Sequence, residues 1–256
     1  MEVTIRREGY THYIKFEDGG KVTVPLTKLE KTSKTGTTVR FMPDDTIFVS
    51  FRGTDFTIVG WKEDFNMSFK NHVSSQIDSV KYFDKIGQLY DNRLRLGGHS
   101  KGGNLAIYSA MYASENIKSR IINIFNNDGP GFSDELIQTK EYKETIEKVH
   151  TFIPQSSIIG RLLNHKEKYT VVKSTQSGIM QHDLYSWEIE GNNFVTLEEV
   201  SNGSLFVDKT IKRWFEKVDS KKREQVIDIL FEIINSTEEE TFDKLAKNWF
   251  SNAKII

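Results

Sequence analysis

The stretch Arg93 to Ala106, read R-L-R-L-G-G-H-S-K-G-G-N-L-A, restricts the fold more than any other part of the chain. At its centre Gly98-His99-Ser100-Lys101-Gly102 fits the pattern G-x-S-x-G, in which a serine sits on a sharp turn between a buried strand and a helix. Such a turn strains the serine backbone and draws neighbouring chain very close, so the flanking positions must lack a Cβ. Leu94 and Leu96 alternate into the turn as a strand, and Leu105, Ile107, Tyr108, Met111 and Tyr112 run out of it as a helix. The start of that helix supplies backbone N–H groups and a positive dipole end, a setting that favours an oxyanion.

Strands and helices alternate on both sides of this turn. Short strands are expected at Val3 to Ile5, Tyr10 to Phe16 and Lys21 to Val24, with a turn at Glu17-Asp18-Gly19-Gly20. Val39 to Met42 and Thr46 to Phe51 flank Pro43-Asp44-Asp45 as a second hairpin. The run T-I-F-V-S-F is apolar at nearly every residue, which predicts a strand covered on both faces. Val73, Ile77, Val80 and Ile86 follow helical spacing, so residues 73–90 read as a crossover helix into the serine strand. Further strands are expected at Arg120 to Phe125, Val149 to Ile153 and Lys168 to Lys173, and an outer hairpin around Glu190-Gly191-Asn192. Ser133 is placed to cap a short helix, and helical stripes fill 205–256, the last opened by the capping box Thr237-x-x-Glu240. The expected fold is α/β: a mostly parallel sheet with helices on both faces, short N-terminal antiparallel strands (1–42) and a helical C-terminal segment (205–256). With no linker or repeat in view, residues 1–256 read as one domain.

Composition removes several alternatives. With 35 basic and 36 acidic residues the formal net charge is −1, and no basic cluster suits a nucleic acid. The chain has no cysteine, which excludes disulfides, thiolate metal sites and a thiol nucleophile. The first residues carry no apolar signal region, and no run reaches the length of a membrane span, so the expectation is a cytoplasmic protein with no integral membrane segment. H-E-x-x-H, EF-hand and P-loop patterns are absent, and no cofactor or metal is expected.

A serine nucleophile needs a base, and the base needs an orienting acid. Of six histidines, His12 and His72 precede the serine, and His99 lies in the turn, which is expected to aim its ring away from Ser100. His150 opens a strand and His165 lies in a charged loop. His182 follows the last parallel strand, where the order serine, acid, histidine places a base. For the acid, Asp128 ends the strand after the serine, although Asp-Gly-Pro-Gly is also ordinary turn chemistry. Asp183 and Asp208 stand as alternatives. The oxyanion donors implied by position are the backbone N–H groups of Lys101, directly after the serine, and Thr54, in the loop Arg52-Gly53-Thr54-Asp55.

Phe51-Arg52-Gly53-Thr54 together with Gly98-His99-Ser100-Lys101-Gly102-Gly103 resembles the class 3 lipase branch of the α/β-hydrolases. With G-W-K-E-D-F-N-M-S-F, N-N-D-G-P-G-F, P-Q-S-S-I-I-G and Q-H-D-x-x-S-W, the chain is more closely similar to a bacterial Mbeg-like family of unknown function, over residues 45–250. The resemblance implies Ser100 as nucleophile, His182 as base, and Thr54 and Lys101 as oxyanion donors. The resemblance brings no defined substrate; the expected reaction is serine hydrolysis of a carboxylic ester, with a small-molecule acyl ester, thioester or lipid as the partner. Class 3 lipases place the acid after the strand at Val149 to Ile153, where this chain has Gln155, Ser156 and Ser157. That gap motivates a rival expectation, a binding or regulatory module with a degraded site. Trp61, Phe65 and Phe69 are candidates for an apolar acyl wall or for plain core packing.

Overall fold

The computed structural model describes residues 37–54, 67 and 72–201, three N-terminal strands at 4–8, 11–15 and 21–24, and isolated positions between 203 and 229. The expected aromatic segment at 55–69 and the C-terminal helices at 205–256 therefore lie almost wholly outside the described residues.

The N-terminal strands β1 (Thr4–Glu8), β2 (Thr11–Lys15) and β3 (Lys21–Val24) form their own antiparallel sheet in the order β1-β2-β3. The main sheet has seven strands: β4 (Thr38–Phe41), β5 (Ile47–Phe51), β6 (Leu94–His99), β7 (Ile121–Asn127), β8 (Val149–Pro154), β9 (Tyr169–Val172) and β12 (Thr196–Leu197). Their spatial order is β12-β9-β8-β7-β6-β5-β4. The run from β5 to β9 is parallel throughout, and the outermost strands β4 and β12 are antiparallel to their neighbours. Parallel strands in sequential order carry all their outgoing loops to one edge, the carboxyl edge, which is where open α/β sheets bind ligands. The loops after β5, β6, β7, β8 and β9 share that edge. The small outer hairpin β10 (Ile189–Glu190) and β11 (Asn193–Phe194) forms around Gly191 as the turn residues indicate.

Two local outcomes differ from the sequence expectation. In β5 the side chains alternate between buried and half-buried, because the strand lies one place from the sheet edge. Ile47, Val49 and Phe51 enter the core, while Phe48 stacks on Phe125 of β7 on the other face at 6.0 Å between ring centres. After Ser133 the chain makes a single 3-10 turn, Leu136–Gln138, with Ser133 Oγ accepting from the Leu136 N–H at 3.3 Å.

Four helices are described: α1 (Ser74–Leu89), α2 (Lys101–Tyr112), α3 (Glu115–Lys118) and α4 (Lys140–Ile146). Residues Lys101 to Met111 of α2 are all buried, since the helix packs on β5, β6 and β7 and is flanked by α1 and α4. Small polar residues allow the close approach of α1: Ser109 Oγ donates to Ser79 Oγ at 2.9 Å, and Gln76 Nε2 donates to Asn104 Oδ1 at 2.8 Å. Helix α4 has no long apolar stripe and was not evident from periodicity; Thr139 caps it by accepting from the Tyr142 N–H at 3.2 Å. No described helix is long and apolar enough to cross a membrane.

A buried carboxylate secures the region beyond β8. The Glu167 side chain, 4% exposed, accepts from His165 Nδ1 at 2.8 Å, Tyr142 Oη at 3.0 Å and Thr151 Oγ1 at 3.2 Å. Burial pushes its pKa up, but these hydrogen bonds, His165's first among them, outweigh burial and bring it from 4.5 to about 2. A depressed carboxylate pKa contributes stability above its unfolded value and loses it as pH falls. Glu167→Gln is therefore expected to cost about 3 kcal/mol in urea unfolding at pH 7. It should also flatten the loss of stability between pH 4.5 and about 2; an unchanged acid profile would contradict this role.

Candidate functional site

The serine turn forms because its glycines leave room for backbone. A Cβ on Gly98 would meet Phe51 O at 2.6 Å and the Gly102 backbone closer still, and one on Gly102 would meet Phe51 C at 2.9 Å and Arg52 C at 3.0 Å. Ser100 is left with φ 57° and ψ −133°, a conformation that costs a non-glycine residue about 1–3 kcal/mol. Two backbone bonds over-determine it: Ser100 N–H donates to Asn127 O at 2.9 Å, and Gly103 N–H donates to Ser100 O at 2.9 Å. The serine thus projects between the end of β6 and the start of α2, where Lys101 is the first helical residue. Lys101 is buried at 5% exposure, so its side chain is not a freely solvated charge.

Thr54 lies in the loop after β5, half-buried. The preceding Gly53 packs so tightly against the turn that a Cβ there would come within 2.7 Å of His99 O and 3.4 Å of Ser100 Cβ. The end of β5 and the start of α2 therefore face each other across the serine.

Asp128 directly follows β7, in the left-handed region at φ 52°, which aspartate tolerates better than most residues. The local turn is held by Asn126, whose Oδ1 accepts from the Gly129 N–H at 3.0 Å. Asn104 of α2 fixes the next residues, donating to Gly131 O at 2.8 Å and Pro130 O at 3.1 Å. The Asp128 carboxylate is inaccessible to solvent and has partners on both oxygens. Oδ1 accepts from Ser157 Oγ at 2.5 Å and from the Gly160 N–H at 3.1 Å, and Oδ2 lies 2.6 Å from His182 Nδ1. The Pro154-Gln155-Ser156-Ser157 segment, which has no acid of its own, supplies a hydroxyl to an acid one strand away.

His182 closes a 3-10 turn, Gly178–His182, after β9. That turn is tied down on two sides: Ser156 N–H donates to Gln181 Oε1 at 2.7 Å, and Trp187 Nε1 donates to Gln181 O at 2.8 Å. The His182 side chain is 24% exposed, so its ring spans from the buried carboxylate to the surface. With Nδ1–H donated to Asp128, Nε2 is the nitrogen that can take a proton.

The described structure thus gathers the serine turn, Asp128, His182 and the Thr54 loop at one edge of the sheet. The other acid candidates fall differently. Asp183 turns to its own chain, accepting from the Tyr185 N–H at 3.1 Å, and Asp208 lies outside the described residues. Of the other histidines, His72 pairs with Tyr108 Oη at 2.6 Å, His150 with Asn123 Nδ2 at 3.0 Å and His165 with Glu167; the side chain of His12 is not described. His99 makes a contact that the sequence did not indicate. Its ring lies against that of His182, 4.4 Å between centres, and its Nε2 is 2.7 Å from His182 O. Ser157 and Gly160 were likewise not singled out by sequence, since nothing local marks a donor to a carboxylate some thirty residues away. Among the described residues no cluster of three or more His, Asp or Glu side chains could hold a metal ion.

The family model described as Mbeg1-like matches residues 25–232. Among curated proteins, the chain is similar to a DNA topoisomerase 4 subunit of Mycoplasma capricolum, 54% identical over 48 residues; the match covers 19% of this chain and 8% of that protein. Among solved structures it is similar to the Rhizomucor miehei lipase–propeptide complex, at 15% identity and TM-score 0.40, covering 68% of this chain and 57% of that one. A fungal lipase–inhibitor complex, solved as a model for interfacial activation, gives the same identity and TM-score over 68% of this chain and 67% of that one.

The turn's dependence on absent side chains is testable. Gly102→Ala is expected to destabilise the protein by about 1–3 kcal/mol in urea, because backbone must move to admit the methyl group. Gly203→Ala, whose nearest neighbour would be 3.8 Å away, should stay within about 0.5 kcal/mol of the parent. Equal stability of the two variants would show that the turn is not packed as described.

Proposed function

The chain belongs to the Mbeg1-like family, and we propose that it is a serine hydrolase cleaving carboxylic esters, lipid-type esters and thioesters included, through an acyl-enzyme on Ser100. The observation that carries this reading is the 2.6 Å contact between His182 Nδ1 and a fully buried Asp128 carboxylate. A buried carboxylate bonded to Nδ1 fixes the imidazole tautomer, leaves Nε2 basic and stabilises the imidazolium once it forms. The same contact removes the motive for a degraded binding module, which was the lack of an acid at the usual place.

In the proposed reaction Ser100 Oγ attacks the ester carbonyl carbon as its proton passes to His182 Nε2. The carbonyl oxygen becomes an oxyanion held by the backbone N–H groups of Thr54 and Lys101. Their placement is supported by the tight approach of Gly53 to the serine turn and by Lys101 opening α2. Each such donor is worth about 10²–10³ in kcat. Collapse breaks the bond to the leaving alcohol or thiol, which takes the proton from His182. Water then attacks the acyl-enzyme, giving one proton to His182, and the Ser100 Oγ leaves with that proton as the carboxylic acid forms. Strain at Ser100 is stored in the folded turn, so holding the half-buried serine there adds no cost at the moment of reaction.

A fluorophosphonate probe should label the protein at Ser100 and not label Ser100→Ala, with short p-nitrophenyl esters turned over only by the former. Asp128→Asn should remain folded and lose about 10⁴ in kcat, because the amide no longer holds the tautomer. Labelling that persists in Ser100→Ala, or turnover indifferent to Asp128→Asn, would refute the assignment.

A further inference from the structure

We propose that His99, the residue before the serine, is a positioning residue that holds the His182 segment at a fixed place relative to Ser100. The inference rests on the serine-hydrolase reading for its kinetic consequence, but the contact it invokes stands independently of catalysis.

Ser100 and His182 belong to different elements, and proton transfer between them demands placement to within a fraction of an ångström. Asp128 orients the His182 ring from its Nδ1 side, but a single hydrogen bond leaves a ring free to swing about it. His99 supplies two further constraints. Its Nε2 lies 2.7 Å from the main-chain oxygen of His182, and its ring faces the His182 ring at 4.4 Å between centres with 37° between planes. A carbonyl oxygen only accepts, so His99 Nε2 carries the proton and donates. His99 is half-buried, and its partial burial together with the neighbouring His182 pushes its pKa down to about 4. At neutral pH it is therefore a neutral Nε2–H tautomer. It bonds the base's own backbone without placing a second positive charge beside the imidazolium that His182 must become.

The lever is short. The backbone of His99 is continuous with Ser100, and that backbone is clamped by Gly53 and by the bond from Ser100 N–H to Asn127 O. Any shift of the His182 turn must therefore stretch a bond anchored one residue from the nucleophile. The Gln181 contacts to Ser156 and Trp187 hold the outer side of that turn, and His99 holds the inner side.

Glutamine and asparagine separate this role from mere bulk. A glutamine side chain places its amide N–H near the position of a histidine Nε2; an asparagine amide reaches only as far as Nδ1. His99→Gln should retain kcat within about threefold for a p-nitrophenyl ester. His99→Asn should lose about 100-fold, the cost of a misplacement of roughly 1 Å, with KM within about twofold for both. In parallel, the NMR resonance of the His182 Nδ1 proton should be present in the parent and in His99→Gln, and shifted or broadened in His99→Asn. Equal kcat values and unchanged resonances in the two variants overturn the proposal, as does a loss confined to KM. If the parent shows no Ser100-dependent turnover, the hydrolase reading fails. The NMR comparison then still decides whether His99 positions His182.

Discussion

The buried carboxylate of Asp128 is the constraint on which the arrangement at the sheet edge depends. A carboxylate removed from water is tolerated only when its lone pairs are taken up by donors. Three donors meet that demand: Ser157 and Gly160 from beyond β8, and His182 from beyond β9. Because one small group satisfies donors from two separate loops, neither loop can move without leaving a buried charge short of a partner. The acid is thus a structural knot as well as the proposed orienter of the base.

Around that knot the sheet supplies direction and the helices supply rigidity. Parallel strands from β5 to β9 deliver the loops to one edge, and α2 is buried along its length against three of them. Asn104 and Gln76 carry the rigidity outward, joining α2 to the Pro130–Gly131 loop on one side and to α1 on the other. Glu167 does the equivalent task beyond β8 by bonding α4, β8 and His165 together. Asn104, Gln76, Asp128 and Glu167 thus act as cross-braces between elements.

How much of this could be read from the sequence depended on the range of the interaction. The serine turn was legible because its requirement is local: Gly98 and Gly102 sit within two residues of the strained Ser100. His182 was legible by position, because the carboxyl edge of a parallel sheet can be inferred from strand order alone. Asp128 stayed ambiguous, since Asp-Gly-Pro-Gly describes a turn equally well, and a φ of 52° is compatible with either role. Only contacts 29, 32 and 54 residues away distinguish the two. The contact made by His99 was not legible for the same reason. Its partner lies 83 residues on, and nothing in the turn itself indicates that the ring has a neighbour. The partial exposure of β5 depended on how few strands lie beyond it, and no residue in that strand records this.

The proposed reaction passes an acyl group through Ser100. Rapid quenching of the protein with a p-nitrophenyl ester, followed by mass spectrometry of the intact chain and its peptides, tests this directly. A transient adduct of the acyl mass is expected on the peptide containing Ser100, formed as p-nitrophenol is released and lost as the acid appears. Steady release of p-nitrophenol with no adduct at any quench time, or an adduct on another residue, would contradict it.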